Sequence, residues 1–391
     1  MRFIGISDYP IGSIKPEVMQ MLRMCEALAL KGCHVVVYVP SGGQRINWSD
    51  IEQIYGQFRL HFPIRTMIDI SVPKQAAKLP GILSRLSLHG WDLLRAVVIT
   101  SQLGNSDGVI MTRDIYLAWL QIKLNRPVIF EMMSMPSKPQ LLPLKQMCFS
   151  SNLQCIIAIS RGLAKSLVNT LGFTPRNLVV LPMGVNLDQF ASDISKDKAR
   201  QLVGLAQDVP IVVYTGASLR RDRELDIIIQ AAKALPDVLF VIVGGRKEEI
   251  EILSRFAEQL EARNVSFVGY VFHSRVMLYQ KAADILLLLG SSKDKHQSQH
   301  ASYAKMFEYM ASGRPIIAHD IPAIREILSN EVNALLIKPG ESDELIFAIN
   351  RLIQDKHLAY RLAEKARIDV EKYTWQERAR KLLEYLHKNN Q

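Results

Sequence analysis

The sequence predicts an α/β protein with two doubly wound parallel sheets, each in its own domain. Short apolar runs that lack polar alternation recur along the 391 residues, and helical patterns separate them. Strands of this kind are buried on both faces, which is typical of parallel sheets covered by helices. The length also exceeds what one ordinary core accommodates, so two domains are expected.

The first strand, helix and second strand lie at the start of the chain. Residues 3–7 form an apolar run, and residues 16–30 then repeat apolar side chains at helical spacing. Pro16 suits the first helical turn, because a proline there loses no helical hydrogen bond. Residues 35–39 are the next predicted strand.

Further apolar runs predict the remaining strands of both sheets, and the polar segment 193–208 between them indicates the domain boundary. The predicted strands of the first half are 108–111, 128–131, 155–159 and 178–181. Those of the second half are 211–215, 238–243, 265–268, 285–289, 315–318 and 334–337. Ligands bind at the carboxyl ends of strands in such sheets, so we expect the site there.

Residues 74–102 mix leucines with lysines and arginines and leave two interpretations open. The segment is either an amphipathic helix on a membrane surface or a helix that covers the sheet.

The composition excludes several classes of protein. Hydrophobic residues make up 48% and charged residues 22%, which is ordinary for a folded globular protein and excludes disorder over most of the length. The four cysteines show neither metal-type spacing nor a disulfide framework, so a cytoplasmic location is expected. No signal peptide is predicted, and no apolar run approaches the roughly 18 residues that a membrane-spanning helix needs.

The positive charge is concentrated in the first half of the chain. Residues 1–190 hold 19 Lys and Arg against 11 Asp and Glu, or +8 of the total +10. This excess favours an anionic partner, such as acidic lipid or a phosphorylated substrate, and a solvated surface is the alternative. We find no basic stripe interleaved with aromatic residues, so nucleic acid is not an expected partner.

The segment SYAKMFEYMASGRPIIAHDIPAIREIL at residues 302–328 resembles the carboxyl-terminal signature of the retaining glycosyltransferases of family four, in glycosyl transferases group 1. IIAISRGLAKSL at 156–167, VVLPMGVNLDQF at 179–190 and NALLIKPG at 333–340 resemble the same family in the same order. YTWQERARKLLEYL, near the end, is similar to the family's terminal helix.

The resemblance implies the GT-B fold, in which two facing Rossmann-like α/β/α domains enclose a cleft. Residues 1–185 are then the acceptor-side domain, residues 186–372 bind the nucleotide sugar, and residues 373–391 form a helix that packs back on the first domain.

Lys305 and Glu308 are the main candidate catalytic residues. A diphosphate becomes more negative as the glycosidic bond breaks, so it needs fixed cations and N–H donors. Lys305 lies near the start of a predicted helix, a favourable place for phosphate, and Ser302 is expected to cap that helix. Glu308 can accept hydrogen bonds from a ribose. The resemblance implies that this helix, which includes Met306, binds the diphosphate and the ribose. The alternatives are a solvated lysine and an ion-paired surface glutamate.

A cluster of arginines follows the first strand of the second domain. Gly216 lets the backbone approach a ligand closely, and Arg220, Arg221 and Arg223 come next. Arginine binds phosphate in a bidentate manner. The resemblance assigns diphosphate binding to one of these residues, and the spacing favours Arg223, with Arg220 a further candidate. The family's usual glycine after this position is Glu224 here.

FVGYV at residues 267–271 resembles the turn that binds the base in the family. The resemblance places the base against backbone groups of Gly269, Tyr270 and Val271, so this turn does not identify the base. The alternative for Tyr270 is packing in the core.

The first domain shows one matching loop and two departures. The loop around Gly12 resembles the family's flexible glycine loop near the diphosphate. Met133 stands where the family often has a histidine that contacts the donor sugar, and His300 stands where it often has a second glutamate. Arg113 and Asp114 also match a family stretch, but we expect Asp114 to cap the following helix.

The resemblance implies transfer of a sugar from a UDP-sugar or GDP-sugar to a hydroxyl on a glycan or lipid-linked acceptor, with retention and a front-face mechanism. Polysaccharide, glycolipid or lipopolysaccharide biosynthesis is the expected setting, with peripheral contact to an acidic membrane through the basic first domain. We expect no cofactor and no metal, since no metal-type spacing occurs. A non-catalytic sugar-nucleotide or glycan-binding protein is the main alternative, and a sugar-nucleotide epimerase is a third.

Overall fold

The computed structural model describes residues 1–13, 15–40, 46–68, 81–104, 106–191, 194–219 and 223–389. The chain forms two compact units. The first unit comprises Met1–Ile51, Phe58–Pro182 and Trp375–Gln391, and the second comprises Glu52–Gln57 and Met183–Thr374.

The first unit contains a parallel sheet of seven strands in the order β3-β2-β1-β4-β5-β6-β7. The strands are β1 (Arg2–Ile6), β2 (His34–Pro40), β3 (Ile64–Met67), β4 (Val109–Thr112), β5 (Val128–Met132), β6 (Leu153–Ala158) and β7 (Leu178–Val180). The helices in this half of the chain are α1 (Pro16–Leu30), α2 (Trp48–Tyr55), α3 (Gly81–Leu103), α4 (Ile115–Lys123), α5 (Leu141–Cys148) and α6 (Arg161–Leu171).

The second unit contains a parallel sheet of six strands in the order β10-β9-β8-β11-β12-β13. The strands are β8 (Ile211–Gly216), β9 (Leu239–Gly244), β10 (Val265–Gly269), β11 (Ile285–Leu288), β12 (Ile316–His319) and β13 (Leu335–Ile337). The helices that follow in the chain are α7 (Lys196–Val203), α8 (Asp226–Ala234), α9 (Lys247–Gln259), α10 (His273–Ala282), α11 (Ala304–Ala311), α12 (Pro322–Arg325), α13 (Ser342–Gln354), α14 (Lys356–Asp369) and α15 (Trp375–Asn389).

These sheets confirm the predicted fold class of two Rossmann-like α/β domains. Both place their first strand in the interior and reverse the strand order beside it, at β1/β4 and β8/β11. The strands next to each reversal are almost fully buried because helices cover both faces of the sheet. In sheets of this kind the carboxyl ends beside the reversal are where ligands bind.

Helix α3 covers part of the segment that the sequence left open. Ala96, Ile99 and Leu103 on one of its faces are buried, and the helix packs against α4. Leu94 and Val97 on another face are 44% and 48% exposed. Residues 74–80 lie outside the described residues, so the membrane-surface alternative stays a prediction. Among the helices that the structure describes, none is both long and apolar enough to cross a membrane.

Helix α15 packs against α1 in the first unit and is tied to strand β5 by a buried ion pair. Glu131 of β5 accepts hydrogen bonds from Arg113 at 2.6 Å and from Arg378 of α15. Arg378 also donates to the carbonyl oxygen of Pro182 at 2.8 Å. Burial by itself would raise the pKa of Glu131, but the two guanidinium groups outweigh it and lower that pKa to about 2.

Candidate functional site

The carboxyl ends of β8 and β9 bring two backbones into close contact. Gly216 pairs with Gly244, and a Cβ on Gly244 would lie 2.0 Å from the carbonyl oxygen of Gly216. Gly244 also has a φ of +99°, which favours glycine. A Cβ on Gly216 would lie 3.1 Å from the hydroxyl of Tyr214. The backbone contact therefore requires glycine at Gly244, and the space beside Gly216 is tight.

Lys305 lies in the first turn of α11 and reaches the end of β8. Its Nζ donates a hydrogen bond to the carbonyl oxygen of Thr215 at 2.9 Å and lies 3.9 Å from the ring centroid of Tyr214. The side chain is partly buried, and burial lowers its pKa although Tyr214 opposes this shift. The aromatic face holds the ammonium group in one place by a cation–π contact. The structure thus places a fixed cation at a carboxyl end beside the strand reversal.

Arg223 contacts the hydroxyl group of the same tyrosine. Its Nη1 donates to the hydroxyl of Tyr214 at 3.4 Å. Burial would raise the pKa of Tyr214, but the charges of Lys305 and Arg223 outweigh it and lower that pKa to about 8. Two cations therefore converge on one tyrosine, which sequence reasoning did not identify. Such an arrangement suits an anion with several oxygen atoms.

Arg220 and Arg221 lie outside the described residues, but Glu224 is described. Glu224 has a φ of +56°, so it adopts the left-handed conformation for which the family uses glycine. Ser292 donates a hydrogen bond to its carboxylate at 2.8 Å. The side chain is 9% exposed. The loop thus takes a glycine-like turn without a glycine, and this bond helps hold it.

Glu308 lies one turn after Lys305, and two side chains hold its carboxylate. Oε1 lies 2.8 Å from Nε2 of His273, and Oε2 accepts from Nε2 of Gln280 at 2.9 Å. Burial would raise the pKa of Glu308, but His273, Gln280 and Lys305 lower it. The group is therefore a fixed anion, and each carboxylate oxygen has a second lone pair. Sequence reasoning missed both His273 and Gln280.

The turn after β10 leads from the predicted base-binding residues to His273. Gly269 ends the strand with a φ of +79°, and Val271 follows Tyr270 before α10 begins. Tyr270 is 47% exposed, so the alternative that it packs in the core is wrong. Its ring lies edge-on to Phe272, with centroids 6.2 Å apart. An exposed aromatic face therefore lies three residues before the histidine that holds Glu308.

The expectation that Ser302 caps the helix is wrong. The N-cap residue of α11 is Tyr303, which makes no side-chain cap hydrogen bond. Ser302 lies one residue too early and accepts a hydrogen bond from the backbone N–H of Met183 at 3.0 Å. Met306 is fully buried and its N–H donates to Tyr303, so its side chain packs in the core.

His300 ends a short π-helical turn, His296–His300, just before α11. It is 3% exposed, and its ring centroid lies 6.3 Å from that of His296. Burial lowers the pKa of His300, and the neighbouring His296 and Lys295 add to this shift. An uncharged ring therefore occupies the place where the family often has a glutamate.

The first unit has a cavity of about 380 Å³ at the carboxyl ends of β1, β4 and β5. Arg95 lies in it, with its Nη1 3.3 Å from Asp8 and 3.2 Å from Asp114. Asp114 accepts from the N–H groups of Tyr116 and Leu117, so the prediction that it caps α4 is confirmed. Met133 lines the cavity, where the family's histidine was expected.

Gly12, the predicted loop glycine, also lies in the first unit, with a φ of +82° and an exposed position. Tyr9 of the same loop lines the cavity. Within the described ranges, no group of three or more His, Cys, Asp or Glu side chains is arranged to hold a metal ion.

Comparison with known proteins finds one family model that matches part of the chain and several structures with a similar fold. Residues 195–369 match the family model of glycosyl transferases group 1. The chain is similar to a D-inositol 3-phosphate glycosyltransferase from Xylanimonas cellulosilytica, with 26% identity over 239 residues that cover 59% of this chain and 55% of that protein. It thus spans about half the length of this curated relative.

Two solved structures have similar folds. Sucrose-phosphate synthase from Thermosynechococcus elongatus superimposes with a TM-score of 0.73 and 18% identity, covering 100% of this chain and 99% of that one. Anabaena Alr3699/HepE, in complex with UDP and glucose, gives a TM-score of 0.73 and 18% identity, with 99% of each chain covered. These likenesses agree with the two-domain α/β architecture of the GT-B type.

Proposed function

We propose that this chain is a glycosyltransferase that uses a nucleoside diphosphate sugar, because the region that matches glycosyl transferases group 1 contains a suitable donor site. The observation that supports this best is the convergence of Lys305 and Arg223 on Tyr214 at the end of β8. Glu308 follows one turn later with its carboxylate fixed by His273. In a nucleoside diphosphate the diphosphate is attached to the ribose. Two cations for the diphosphate, followed by a carboxylate for the ribose hydroxyls, therefore suit such a ligand.

The proposed reaction retains the configuration at the anomeric carbon. The bond from the anomeric carbon to the diphosphate oxygen breaks, and the acceptor oxygen forms the new bond on the same face. The acceptor proton passes to the leaving phosphate oxygen, so no protein base is required. Lys305 and Arg223 stabilise the charge that develops on the diphosphate, and this stabilisation lowers the barrier. Glu308 positions the ribose and acts in binding.

The proposed donor is a UDP-sugar, with a GDP-sugar as the alternative. The Anabaena structure with a similar fold is a complex with UDP and glucose, which supports a uridine nucleotide. The exposed ring of Tyr270 lies at the turn where the base is expected. Stacking on an aromatic ring stabilises any base, so base preference has to come from backbone groups of this turn.

The proposed acceptor site is the cavity of the first unit. It lies at the carboxyl ends of parallel strands beside the strand reversal, where doubly wound sheets bind ligands. Its lining combines charged side chains with Phe130, Met132 and Met133, which suits a ligand with hydroxyl groups and apolar faces.

A thermal-shift and hydrolysis experiment tests the donor proposal. UDP, GDP, ADP and CMP are compared at equal concentration, and a ligand that binds the native state raises Tm. We expect UDP to give the largest shift, and Glu308→Ala and Lys305→Ala to remove most of it. UDP-glucose should slowly release glucose and UDP in the wild type only. If none of the nucleotides shifts Tm, the proposal is wrong.

The same experiment separates the alternatives. Tight binding of a nucleotide without turnover on any acceptor would favour a non-catalytic binding protein, for which the apolar Met133 and the buried His300 argue. Conversion of the donor into its epimer would favour an epimerase.

Contact with an acidic membrane remains a separate proposal. It rests on the net charge of +8 in residues 1–190, which contain 19 basic and 11 acidic residues. Sedimentation with acidic liposomes at low and moderate salt tests it, because an electrostatic contact weakens as salt increases. Absence of binding at low salt would remove this proposal.

A further inference from the structure

The charge of the acceptor cavity differs from that of the half of the chain that forms it. Residues 1–190 have an excess of basic residues, which by itself suggests an acidic or phosphorylated acceptor. Among the described residues that line the cavity, however, Asp8, Asp92 and Asp114 are acidic, and Arg95 and Arg113 are basic. Salt screens charges that lie farther away than a Debye length. A ligand bound in the cavity therefore responds mainly to the charges that line it, and less to the net charge of residues 1–190.

Both arginines of the cavity already bind carboxylates. Arg95 contacts Asp8 and Asp114, and its Nη2 also donates to the backbone oxygen of Asp8 at 3.3 Å. Arg113 donates to Glu131 at 2.6 Å and is 6% exposed. Both cations are thus engaged by protein carboxylates, and a phosphate would have to compete with those contacts.

The aspartates keep capacity to accept hydrogen bonds. Asp92 is 38% exposed, and its ion pair with His89 has a separation of 3.8 Å, beyond hydrogen-bond distance. Asp8 is 22% exposed and has one carboxylate oxygen 3.3 Å from Arg95. A carboxylate offers about four lone-pair sites, so both groups can accept further donors.

Three acidic groups that line the cavity have raised pKa values. Burial raises the pKa of Asp114 to about 6, and the charge of Asp8 adds to this increase. Burial also raises the pKa of Asp92, although His89 and Arg95 oppose this shift, and it raises the pKa of Tyr9, to which Glu17 and Asp8 add. Burial is the largest cause of all three increases, and the negative charge of Asp8 adds to each of them.

We propose that this cavity selects an acceptor sugar that is neutral or bears an amino group, and excludes one bearing a phosphate. Asp8 and Asp92 accept hydrogen bonds from its hydroxyl or ammonium groups, while Phe130 and Met132 border its apolar faces. The inference rests on the proposed function, because it assigns the acceptor to this cavity. It deepens that function by naming the acceptor's chemical class.

Binding of three matched probes tests this inference. Methyl α-glucoside, methyl α-glucosaminide and glucose 6-phosphate are titrated into the full chain with saturating UDP, and binding is followed by saturation-transfer NMR. We expect the neutral and amino sugars to bind and the phosphate to bind at least about tenfold more weakly, since both arginines described in the cavity already contact protein carboxylates.

Variants assign the effect to the two aspartates. Asp8→Asn and Asp92→Asn should each weaken glucosaminide binding about tenfold, because each removes a charge-assisted hydrogen bond. Two positions are used so that one poorly folded variant does not decide the result. Glu384→Gln, at a side chain of α15 that is 54% exposed, is the matched control in the same unit and should change nothing.

The outcomes distinguish this inference from the proposed function. Preferred binding of glucose 6-phosphate, or binding of none of the probes while UDP still raises Tm, would overturn the inference alone. Equal effects of all three variants would overturn it as well. Absence of any UDP effect would instead contradict the donor proposal.

Discussion

Replacement of Lys305 by methionine is the most direct perturbation of the proposed donor site. Methionine keeps an unbranched stem of similar length against the ring of Tyr214 and removes the ammonium group. That group lies 3.9 Å from the ring centroid and 2.9 Å from the oxygen of Thr215. The substitution therefore removes charge and changes packing little.

The magnitude follows from the environment of the ammonium group. Lys305 is partly buried and already fixed by two contacts, so little side-chain entropy is lost when a diphosphate binds. A hydrogen bond to a charged group contributes about 1.5 to 3 kcal/mol. UDP should therefore bind about 10-fold to about 150-fold more weakly.

Isothermal titration calorimetry with UDP and uridine measures this effect. The loss is expected for UDP only, because uridine lacks the diphosphate. Lys338→Met is the control, since its side chain is 75% exposed and pairs only with Glu344 among its described contacts. An equal loss for uridine would show that Lys305 supports the fold or the nucleoside site. Unchanged UDP affinity would refute the reasoning.

Three further predictions concern ionisation, the ribose and stability. Tyr214 has a pKa of about 8, so its phenolate forms as the pH rises through that value. UDP affinity should fall around this pH in the wild type, because the phenolate repels the diphosphate, and it should stay level in Tyr214→Phe. A parallel fall in both proteins would contradict a role for Tyr214 ionisation. Glu308→Gln should weaken the binding of UDP about tenfold but leave the affinity for 2′,3′-dideoxy-UDP unchanged, because the dideoxy ribose has no hydroxyl groups for the carboxylate to bind. Calorimetry measures both affinities, and equal losses for the two ligands would exclude a contact between Glu308 and the ribose. Arg378→Leu leaves buried Glu131 with one cation and should lower the free energy of unfolding by about 3 kcal/mol in urea titrations. Arg380→Leu on the same helix should change the free energy of unfolding far less. Similar losses in both variants would show that the buried ion pair contributes no more to stability than an exposed one.

The sequence predicted the interior of both sheets but missed one edge. Helix α1 spans residues 16–30 as predicted, with Pro16 in its first turn. The interior strands were predicted because burial on both faces requires continuous apolar runs. Strand β3 was missed because Arg65 and Thr66 at its centre are exposed, so it has no such run. An edge strand pairs on one side only, and its sequence is less constrained.

The candidate site was predictable where its residues are close in sequence. Lys305 and Glu308 lie within one helical turn, so their relation follows from helix geometry. His273 is 35 residues from Glu308, and only the tertiary fold brings the two side chains within 2.8 Å of each other. The role of Ser302 depended on where the helix begins, which sequence patterns locate only within a few residues.

The discontinuous first unit has a consequence for synthesis on the ribosome. Arg378 donates to Pro182, which lies 196 positions earlier, and it also neutralises Glu131. Until α15 has been translated, Glu131 in the nascent first unit lacks its ion pair with Arg378. Helix α1 also lacks the helix that packs against it. The second unit comprises a nearly continuous stretch and is complete at Thr374. The unit translated first is therefore expected to reach its native stability last, after α15 has emerged from the ribosome.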